Sequence, residues 1–165
     1  MTTPNIKMLR IDERLIHGQG QLWLNTLGVN LVIVANDEAS NNPIQQTLMK
    51  TVVPKSIGMR FFSIKHTCDI IHKASPNQKI FIVVKNPKDC LALIEGGVPV
   101  GEVNIGNIHY AEGKHQINKF ISIGDEDKQA LKKLRDEYGI KFNTRTTPMV
   151  SEGEMALADL NKYLD

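Results

Sequence analysis

Short apolar runs alternate with stretches of helical periodicity along the whole chain, and this alternation constrains the fold more than any other feature. Four of the runs, LVIVA, RFFSI, KIFIVV and EVNI, are mostly apolar at consecutive positions, which is typical of strands covered on both faces. The predicted strands are Ile6–Ile11, Leu31–Ala35, Met59–Ile64, Lys79–Val84, Gly101–Ile105, Phe120–Ile123 and Ile140–Thr144. Alternation of strands and helices at this pitch predicts an α/β fold with an open, mostly parallel β-sheet.

The segments between these runs carry start and stop signals for helices. Asn86 stands before a proline, as an N-cap does, and Gly139 follows a periodic segment, as expected of a helix stop. The predicted helices are Gln19–Leu27, a helix opened by Asn42-Pro43, His66–Lys73, Pro87–Glu95, Asp125–Tyr138 with Asp125 as its cap, and Ser151–Tyr163 with a Ser-x-x-Glu capping box. Asn107–Ile117 breaks the rhythm, and we expect a long loop or a turn into an antiparallel strand there.

Length and composition narrow the class of protein. The 165 residues suit a single domain over 1–165, and 20 basic against 18 acidic side chains leave a net charge of +2, which argues against nucleic acid as a partner. Cys68 and Cys90 lie far apart and are interpreted as reduced thiols. No apolar run approaches the roughly 18 residues of a membrane span, and Met1–Lys7 lacks the apolar stretch of a signal peptide. We therefore expect a soluble, cytoplasmic protein that would reach a membrane only through a partner.

The loop after the first predicted strand concentrates the reactive side chains. Asp12–Gly20 holds two acids, an arginine, a histidine and two glycines, and ligands of open α/β sheets bind at the carboxyl ends of strands. A side chain that carries a phosphoryl group must be a nucleophile that is unprotonated near neutral pH, as imidazole is. The phosphoryl oxygens need a cation, and a guanidinium offers a bidentate fork. Free backbone amides at a helix start supply further donors.

The residues of this loop meet these three requirements: a nucleophile, a cation and backbone donors. His17 is the candidate nucleophile and Arg14 the candidate cation. Gly18 and Gln19 would present backbone amides to the phosphoryl group. Asp12 would orient the imidazole or hold Arg14 in place.

Structural interpretations of the same residues stay open at this point. A lone loop histidine is usually a surface or capping residue, and Arg14 could form an ordinary ion pair with a neighbouring acid. Asp37, at the end of the second predicted strand, could face the same crevice as His17 and support it, or it could cap the next helix.

The other histidines carry no comparable signal. His109 and His115 flank a polar loop that could border the site, and we interpret them as surface residues. His66 and His72 lie six positions apart and do not share a helix face, so no metal site is predicted. No P-loop pattern occurs in the sequence.

One stretch closely resembles the signature of the IIB component of the mannose–fructose–sorbose family of bacterial sugar phosphotransferase systems: Arg10-Ile11-Asp12-Glu13-Arg14-Leu15-Ile16-His17-Gly18-Gln19. The resemblance extends to the family's second strand with its acidic end, through Val34-Ala35-Asn36-Asp37-Glu38. It also extends to the family's Asn-[Val/Ile]-Gly-Gly stretch, which matches Asn104-Ile105-Gly106-Asn107.

The resemblance implies a fold and an activity. Family members have an open, mostly parallel sheet with helices on both faces. We expect the activity to need no metal or organic cofactor. The family's IIB histidine, matched by His17, accepts a phosphoryl group at Nδ1 from a phosphohistidine of the IIA partner. It passes the group to a sugar carried by the membrane partners IIC and IID, with which the protein would associate peripherally. The family arginine that assists the transfer is matched by Arg14.

Two departures from the family pattern bear on the sugar and on the loop. Asn107 replaces the second glycine usual in mannose- and sorbose-type members, and with Ile108-His109-Tyr110-Ala111 it resembles members specific for N-acetylgalactosamine or galactosamine. Gly20 stands where a larger apolar residue is common. The alternative functions are a non-catalytic partner-binding or regulatory paralogue and, more distantly, a Rossmann-like nucleotide binder. The sequence leaves a homo-oligomer open.

Overall fold

The strands and helices follow one another in the alternation that the sequence predicts. The computed structural model describes residues 3–17, 20–145, 147–148 and 154–165. Its strands are β1 (Asn5–Asp12), β2 (Leu31–Ala35), β3 (Gly58–Phe62), β4 (Lys79–Val84), β5 (Glu102–Asn107), β6 (His115–Gln116), β7 (Ser122–Ile123) and β8 (Lys141–Asn143). Its helices are α1 (Gly20–Leu27), α2 (Pro43–Lys50), α3 (Ile64–Ile70), α4 (Pro87–Glu95), α5 (Asp125–Asp136) and α6 (Glu154–Leu164).

Six of the strands form one parallel sheet in the order β3-β2-β4-β1-β5-β8. The central strands are the apolar runs of the sequence, because a strand flanked by two others and covered on both faces has no side chain in water. All five residues of β2 and the last five of β4 are buried. This arrangement confirms the predicted open, mostly parallel α/β fold.

Helices cover both faces of the sheet, and successive residues of β4 show this directly. Ile80, Ile82 and Val84 belong to one apolar cluster, whereas Phe81 and Val83 belong to the other. The first cluster includes side chains of α4, α5 and α6, and the second includes side chains of α1 and α2. The expectation of helices on both faces is therefore confirmed.

The polar segment after β5 leads into a short hairpin formed by β6 and β7. β6 and β7 pair antiparallel outside the main sheet, which confirms the predicted turn into an antiparallel strand. The predicted strand Phe120–Ile123 is correspondingly shorter, since only its last two residues form β7. Its residue Ile121 instead bridges Ile108, next to the end of β5.

Several helix boundaries differ from the sequence prediction for local reasons. Ile64 begins α3 rather than ending β3, because the Ser63 side chain accepts a hydrogen bond from the amide of His66 and caps the helix. Asp125 is the first residue of α5 and not its cap. Gly124 occupies the cap position, and its amide donates to the carboxylate of Asp127. The predicted capping box at Ser151 lies outside the described residues.

The parallel register places the ends of two central strands side by side. β1 lies between β4 and β5, and Asp12, the last residue of β1, is paired with Asn107, the last residue of β5. Ligand sites of open parallel sheets form at this carboxyl edge. Among the helices of the described residues, none is long and apolar enough to cross a membrane.

Candidate active site

The loop after β1 is fixed by two apolar side chains. Leu15 and Ile16 are buried and pack in the apolar cluster that also contains Trp23 and Leu24 of α1. Leu15 has a φ of 59°, in the left-handed region that costs a residue with a Cβ about 1–2 kcal/mol. Burial of its side chain offsets that cost. With the middle of the loop anchored inward, Arg14 and His17 are left partly exposed at either end.

The carboxylate of Asp12 holds the imidazole of His17. Asp12 Oδ2 lies 2.8 Å from Nε2 of His17, and the Asp12 side chain is completely buried whereas 18% of the histidine side chain is exposed. A carboxylate accepts hydrogen bonds only, so Nε2 carries the proton, and in the neutral imidazole Nδ1 then has the free lone pair. Nδ1 makes no hydrogen bond to any described residue. The geometry therefore presents Nδ1 as the nucleophilic atom.

A buried arginine holds Asp12 in turn. Arg10 and Asp12 are two residues apart on β1, so their side chains share one face of the strand. Arg10 Nη2 lies 3.2 Å and its Nε 3.4 Å from Asp12 Oδ2, and Arg10 Nη1 donates to Asn104 Oδ1 at 2.6 Å. Asn104 is fixed from the far side, since its amide nitrogen donates to Asn143 Oδ1 and to the carbonyl of Arg145. The site thus rests on side chains from three neighbouring strands and the segment after β8.

Gly106 makes room for this arrangement. The Arg10 guanidinium lies directly over the backbone of Gly106, where an added Cβ would overlap its central carbon and two of its nitrogens. A side chain at position 106 would therefore displace the guanidinium from Asp12. The requirement is for space and not for an unusual backbone angle.

The charges of this cluster set the protonation of Asp12. Burial alone would raise the pKa of Asp12, but the hydrogen bond from His17, the positive charge of Arg10 and the amide of Arg14 together hold it below its usual value. Burial lowers the pKa of Arg10, and Asp12 opposes that shift. A guanidinium titrates so far above neutral pH that Arg10 keeps its charge. Asp12 is accordingly an ionised acceptor at neutral pH.

Arg14 is held on the other oxygen of the same carboxylate. Its backbone amide donates to Asp12 Oδ1 at 3.0 Å, and its Nε lies 3.7 Å from that oxygen. In the amide orientation that satisfies its surroundings, Asn107 accepts a hydrogen bond from Arg14 Nη2 at 2.6 Å. Because 39% of the arginine side chain is exposed, Arg14 remains accessible to a ligand. His17 and Arg14 are thereby brought to the two oxygens of one carboxylate.

Asp37 has its hydrogen bonds elsewhere. Its Oδ1 accepts from the amide of Ile64, the first residue of α3. Its charge also acts on Asp89 in the first turn of α4, where burial and Asp37 together raise the pKa of Asp89. Asp37 therefore binds the first amide of α3 and does not cap the next helix along the chain, α2, which Asn42 caps. Among the described residues, no hydrogen bond or ion pair joins Asp37 to His17.

The remaining predicted site residues are Gly18 and Gln19, which lie outside the described residues. α1 begins directly after them, at Gly20. No group of three or more His, Cys, Asp or Glu side chains that could hold a metal ion occurs among the described residues.

Arg10, Asn104 and Gly106 belong to the candidate site but are not among the residues that the sequence predicts for it. A signal for Arg10 was present, because a charge inside an otherwise apolar strand must be paired if it is buried. Its partner Asn104 is 94 positions away, and only the pairing of β1 with β5 brings the two together.

Fold and site together define a class: open parallel α/β proteins with a partly exposed histidine held by a buried carboxylate at the end of the first strand. The family model described as "PTS system sorbose subfamily IIB component" matches residues 6–163. The chain therefore belongs to this family, as the resemblance of its first loop implies, and IIB components are phosphotransferase domains.

Three similar proteins illustrate the match. The crystal structure of a PTS-dependent N-acetylgalactosamine IIB component from Streptococcus pyogenes has 57% sequence identity and a TM-score of 0.91, over 99% of each chain. The N-acetylgalactosamine-specific phosphotransferase enzyme IIB component 2 of Escherichia coli strain K12 is 50% identical over 80% of this chain and 85% of its own. The mannose-specific EIIAB component of the same strain is 29% identical and matches 97% of this chain with 49% of its own length.

The role of Gly106 predicts a position-specific loss of stability. Gly106→Ala forces the guanidinium of Arg10 away from Asp12 and leaves buried charge unpaired, so we expect a loss of about 3 kcal/mol in the free energy of unfolding. Gly101→Ala is the matched control, because an added Cβ there meets nothing within 4 Å. Denaturant unfolding of both variants measures the difference, and equal losses at the two positions would contradict the role of Gly106.

The pKa of Asp12 predicts a dependence of stability on pH. A carboxyl whose pKa is lower in the folded than in the unfolded state stabilises the fold above its unfolded pKa of about 3.9. That contribution is lost as the pH falls through the folded pKa. We expect Asp12→Asn to be less stable than the unchanged protein by about 3 kcal/mol at pH 7, and the gap to close in acid, where Asp12 is itself neutral.

Urea unfolding between pH 7 and acid, measured on both proteins, tests this expectation. Asp136→Asn is the control, since Asp136 is an exposed partner of Arg135 and exposed ion pairs contribute little at any pH. If the difference in the free energy of unfolding between Asp12→Asn and the unchanged protein stays constant with pH, Asp12 does not stabilise the fold through its charge.

Proposed function

We propose that this protein is a phosphocarrier of a sugar uptake system, in which His17 accepts a phosphoryl group and passes it to a sugar. One observation carries the proposal: Asp12 Oδ2 lies 2.8 Å from His17 Nε2, so the tautomer that forms leaves Nδ1 as the nucleophile. Membership of the IIB family supports it, because IIB components are phosphotransferase domains. The unit that acts is the single domain formed by residues 1–165.

The first transfer uses the lone pair of Nδ1. Nδ1 forms a bond to phosphorus while the bond between phosphorus and the donor imidazole nitrogen of a phosphorylated IIA protein breaks, and that nitrogen keeps the electron pair. The proton on Nε2 stays in place, and the positive charge that develops on the imidazole is stabilised by Asp12. The step balances without a metal or an organic cofactor.

The second transfer moves the phosphoryl group from His17 to the sugar. A sugar hydroxyl oxygen bonds to phosphorus, the bond between phosphorus and Nδ1 breaks with its electron pair returning to Nδ1, and the hydroxyl proton passes to water. Arg14 binds phosphoryl oxygens in both steps through the exposed part of its guanidinium. Gly18 and Gln19 are proposed as backbone donors because they directly precede α1.

The partners and the sugar follow from the relatives. One relative carries IIA and IIB in a single mannose-specific chain, which supports a IIA protein as the donor. The sugar would reach this protein through the membrane partners IIC and IID, so the chain would work in the cytoplasm at the membrane surface. Relatives of 50% and 57% identity are N-acetylgalactosamine IIB components, and we propose N-acetylgalactosamine or galactosamine as the sugar.

Intact-mass measurement tests the carrier role. Incubation with phosphoenolpyruvate, enzyme I, HPr and a IIA protein shown to be phosphorylated is expected to add one acid-labile phosphoryl group. His17→Ala should abolish the gain and keep the fold, whereas His66→Ala, which removes an exposed histidine of α3, should leave it unchanged. No gain on the unchanged protein would favour the alternative, a partner-binding module without turnover.

Arg14→Lys is expected to slow transfer more than it lowers stability. Lysine keeps the charge but loses the guanidinium fork, so one of two bonds to the phosphoryl oxygens is lost. Loss of a hydrogen bond between charged groups corresponds to a rate decrease of roughly 10-fold or more. Arg60→Lys, at an exposed position in β3, is the matched control. Rapid-quench measurement of phosphoryl transfer compares the variants, and an unchanged rate in Arg14→Lys would remove Arg14 from the mechanism.

A further inference from the structure

A second group of polar side chains lies near Arg14, at the end of β5. It consists of Glu13, Asn107 and His109. Glu13 Oε2 accepts a hydrogen bond from the backbone amide of His109 at 3.0 Å and lies 2.7 Å from Nδ1 of the His109 ring. The backbone amide of Glu13 in turn donates to the carbonyl of Asn107 at 2.9 Å. Glu13 therefore ties the loop after β1 to the loop after β5. None of these three residues makes a hydrogen bond or ion pair with His17 in the described part of the site.

The contact with Glu13 decides which nitrogen of His109 accepts a hydrogen bond. A carboxylate is an acceptor, so Nδ1 of His109 carries the proton and, in the neutral ring, Nε2 is left as an acceptor. One of the two terminal atoms of the Asn107 side-chain amide lies 3.3 Å from this Nε2 and also 3.3 Å from the carbonyl oxygen of Phe120. Both neighbours accept, so the amide nitrogen of Asn107 must point toward them.

The same orientation turns the oxygen of Asn107 toward Arg14. That oxygen lies 2.6 Å from Arg14 Nη2, while Asp12 Oδ1 accepts from the arginine's backbone amide and faces its Nε. The guanidinium is thus held from two sides, by a carboxylate on β1 and by an amide on β5. In the reverse orientation, Asn107 would place its nitrogen against the guanidinium, and donor would face donor.

We propose that Asn107 and His109 are positioning residues for Arg14. His109, oriented by Glu13, fixes the side-chain amide of Asn107, and Asn107 holds the guanidinium of Arg14 where it meets the phosphoryl group on His17. The inference rests on the proposed function for its catalytic consequence, but the positioning of Arg14 exists independently of turnover. It also gives an exposed histidine, which the sequence presents as a surface residue, a part in the site.

Two variants break the arrangement at different points. Asn107→Ala removes the acceptor for Arg14, and His109→Phe keeps a ring of similar size but removes the nitrogen that orients Asn107. Since 52% of the His109 side chain is exposed, His109→Phe keeps the test valid should the buried Asn107→Ala variant fail to fold. His72→Phe is the matched control. The ring of His72 is hydrogen-bonded to the carbonyl oxygen of Gly97. Gly97 follows α4, at the end of the sheet opposite to the carboxyl ends of the strands.

The first readout is the side-chain Nε–H resonance of Arg14 in a nitrogen-15 NMR spectrum, assigned by its loss in Arg14→Lys. We expect it to shift and to exchange faster with water in Asn107→Ala and in His109→Phe, and to stay in place in His72→Phe. An unchanged resonance in both variants would overturn the proposal. This readout needs no phosphoryl transfer, so it separates a failure of positioning from a failure of the proposed function.

The second readout is the rate of phosphoryl transfer from phosphorylated IIA protein. Each variant is expected to lower kcat about fivefold, the equivalent of one ordinary hydrogen bond, with KM unchanged. In an Arg14→Lys background neither substitution should slow transfer further, because both act through the guanidinium. Rate losses that multiply with that of Arg14→Lys would show that Asn107 and His109 act by another route and would overturn the proposal.

Discussion

Two opposite charges, those of Arg10 and Asp12, are buried side by side on β1, and the geometry of the site depends on them. A buried carboxylate without a partner would be protonated and would lose its hold on the imidazole. The hydrogen bond from His17 and the charge of Arg10 keep it ionised. Asn104 keeps Arg10 in place, and Gly106 leaves the space that the guanidinium occupies. Breaking such a pair on one side is costly, since the other charge stays buried. The pair therefore links the stability of the central strands to the orientation of the His17 imidazole.

The α/β class and the core of the site could be predicted from sequence because both depend on local patterns. The run LVIVA is buried over its whole length as β2, since no polar side chain interrupts it. His17, Arg14 and Asp12 fall within six consecutive residues, so one tight loop brings them together whatever the rest of the chain does. Both roles considered for Asp12, orienting the imidazole and holding Arg14, are present in the structure at once, one on each carboxylate oxygen.

Features that depend on distant pairing could not be predicted in the same way. The bond from Arg10 to Asn104 and the contact between Arg14 and Asn107 exist only because β5 lies beside β1, and a single sequence does not state which strands are neighbours. The bounds of short strands could not be predicted either, since the two residues of β7 are too few to show a hydrophobic period. The left-handed backbone of Leu15 has no sequence signal, because leucine rarely adopts that conformation.

The arrangement of two guanidinium groups around one carboxylate has an electrostatic consequence for recognition. Arg10 and Arg14 against Asp12 leave the unloaded site with an excess of one positive charge. In the proposed transfer the phosphoryl group would bring about two negative charges, and the imidazole, which keeps its Nε2 proton, would gain a positive one, so loading would cancel the excess positive charge of this partly exposed surface. A phosphorylated donor that approaches the carboxyl ends of the strands would thus be attracted to the unloaded carrier, and this attraction would be lost once the group had been handed over.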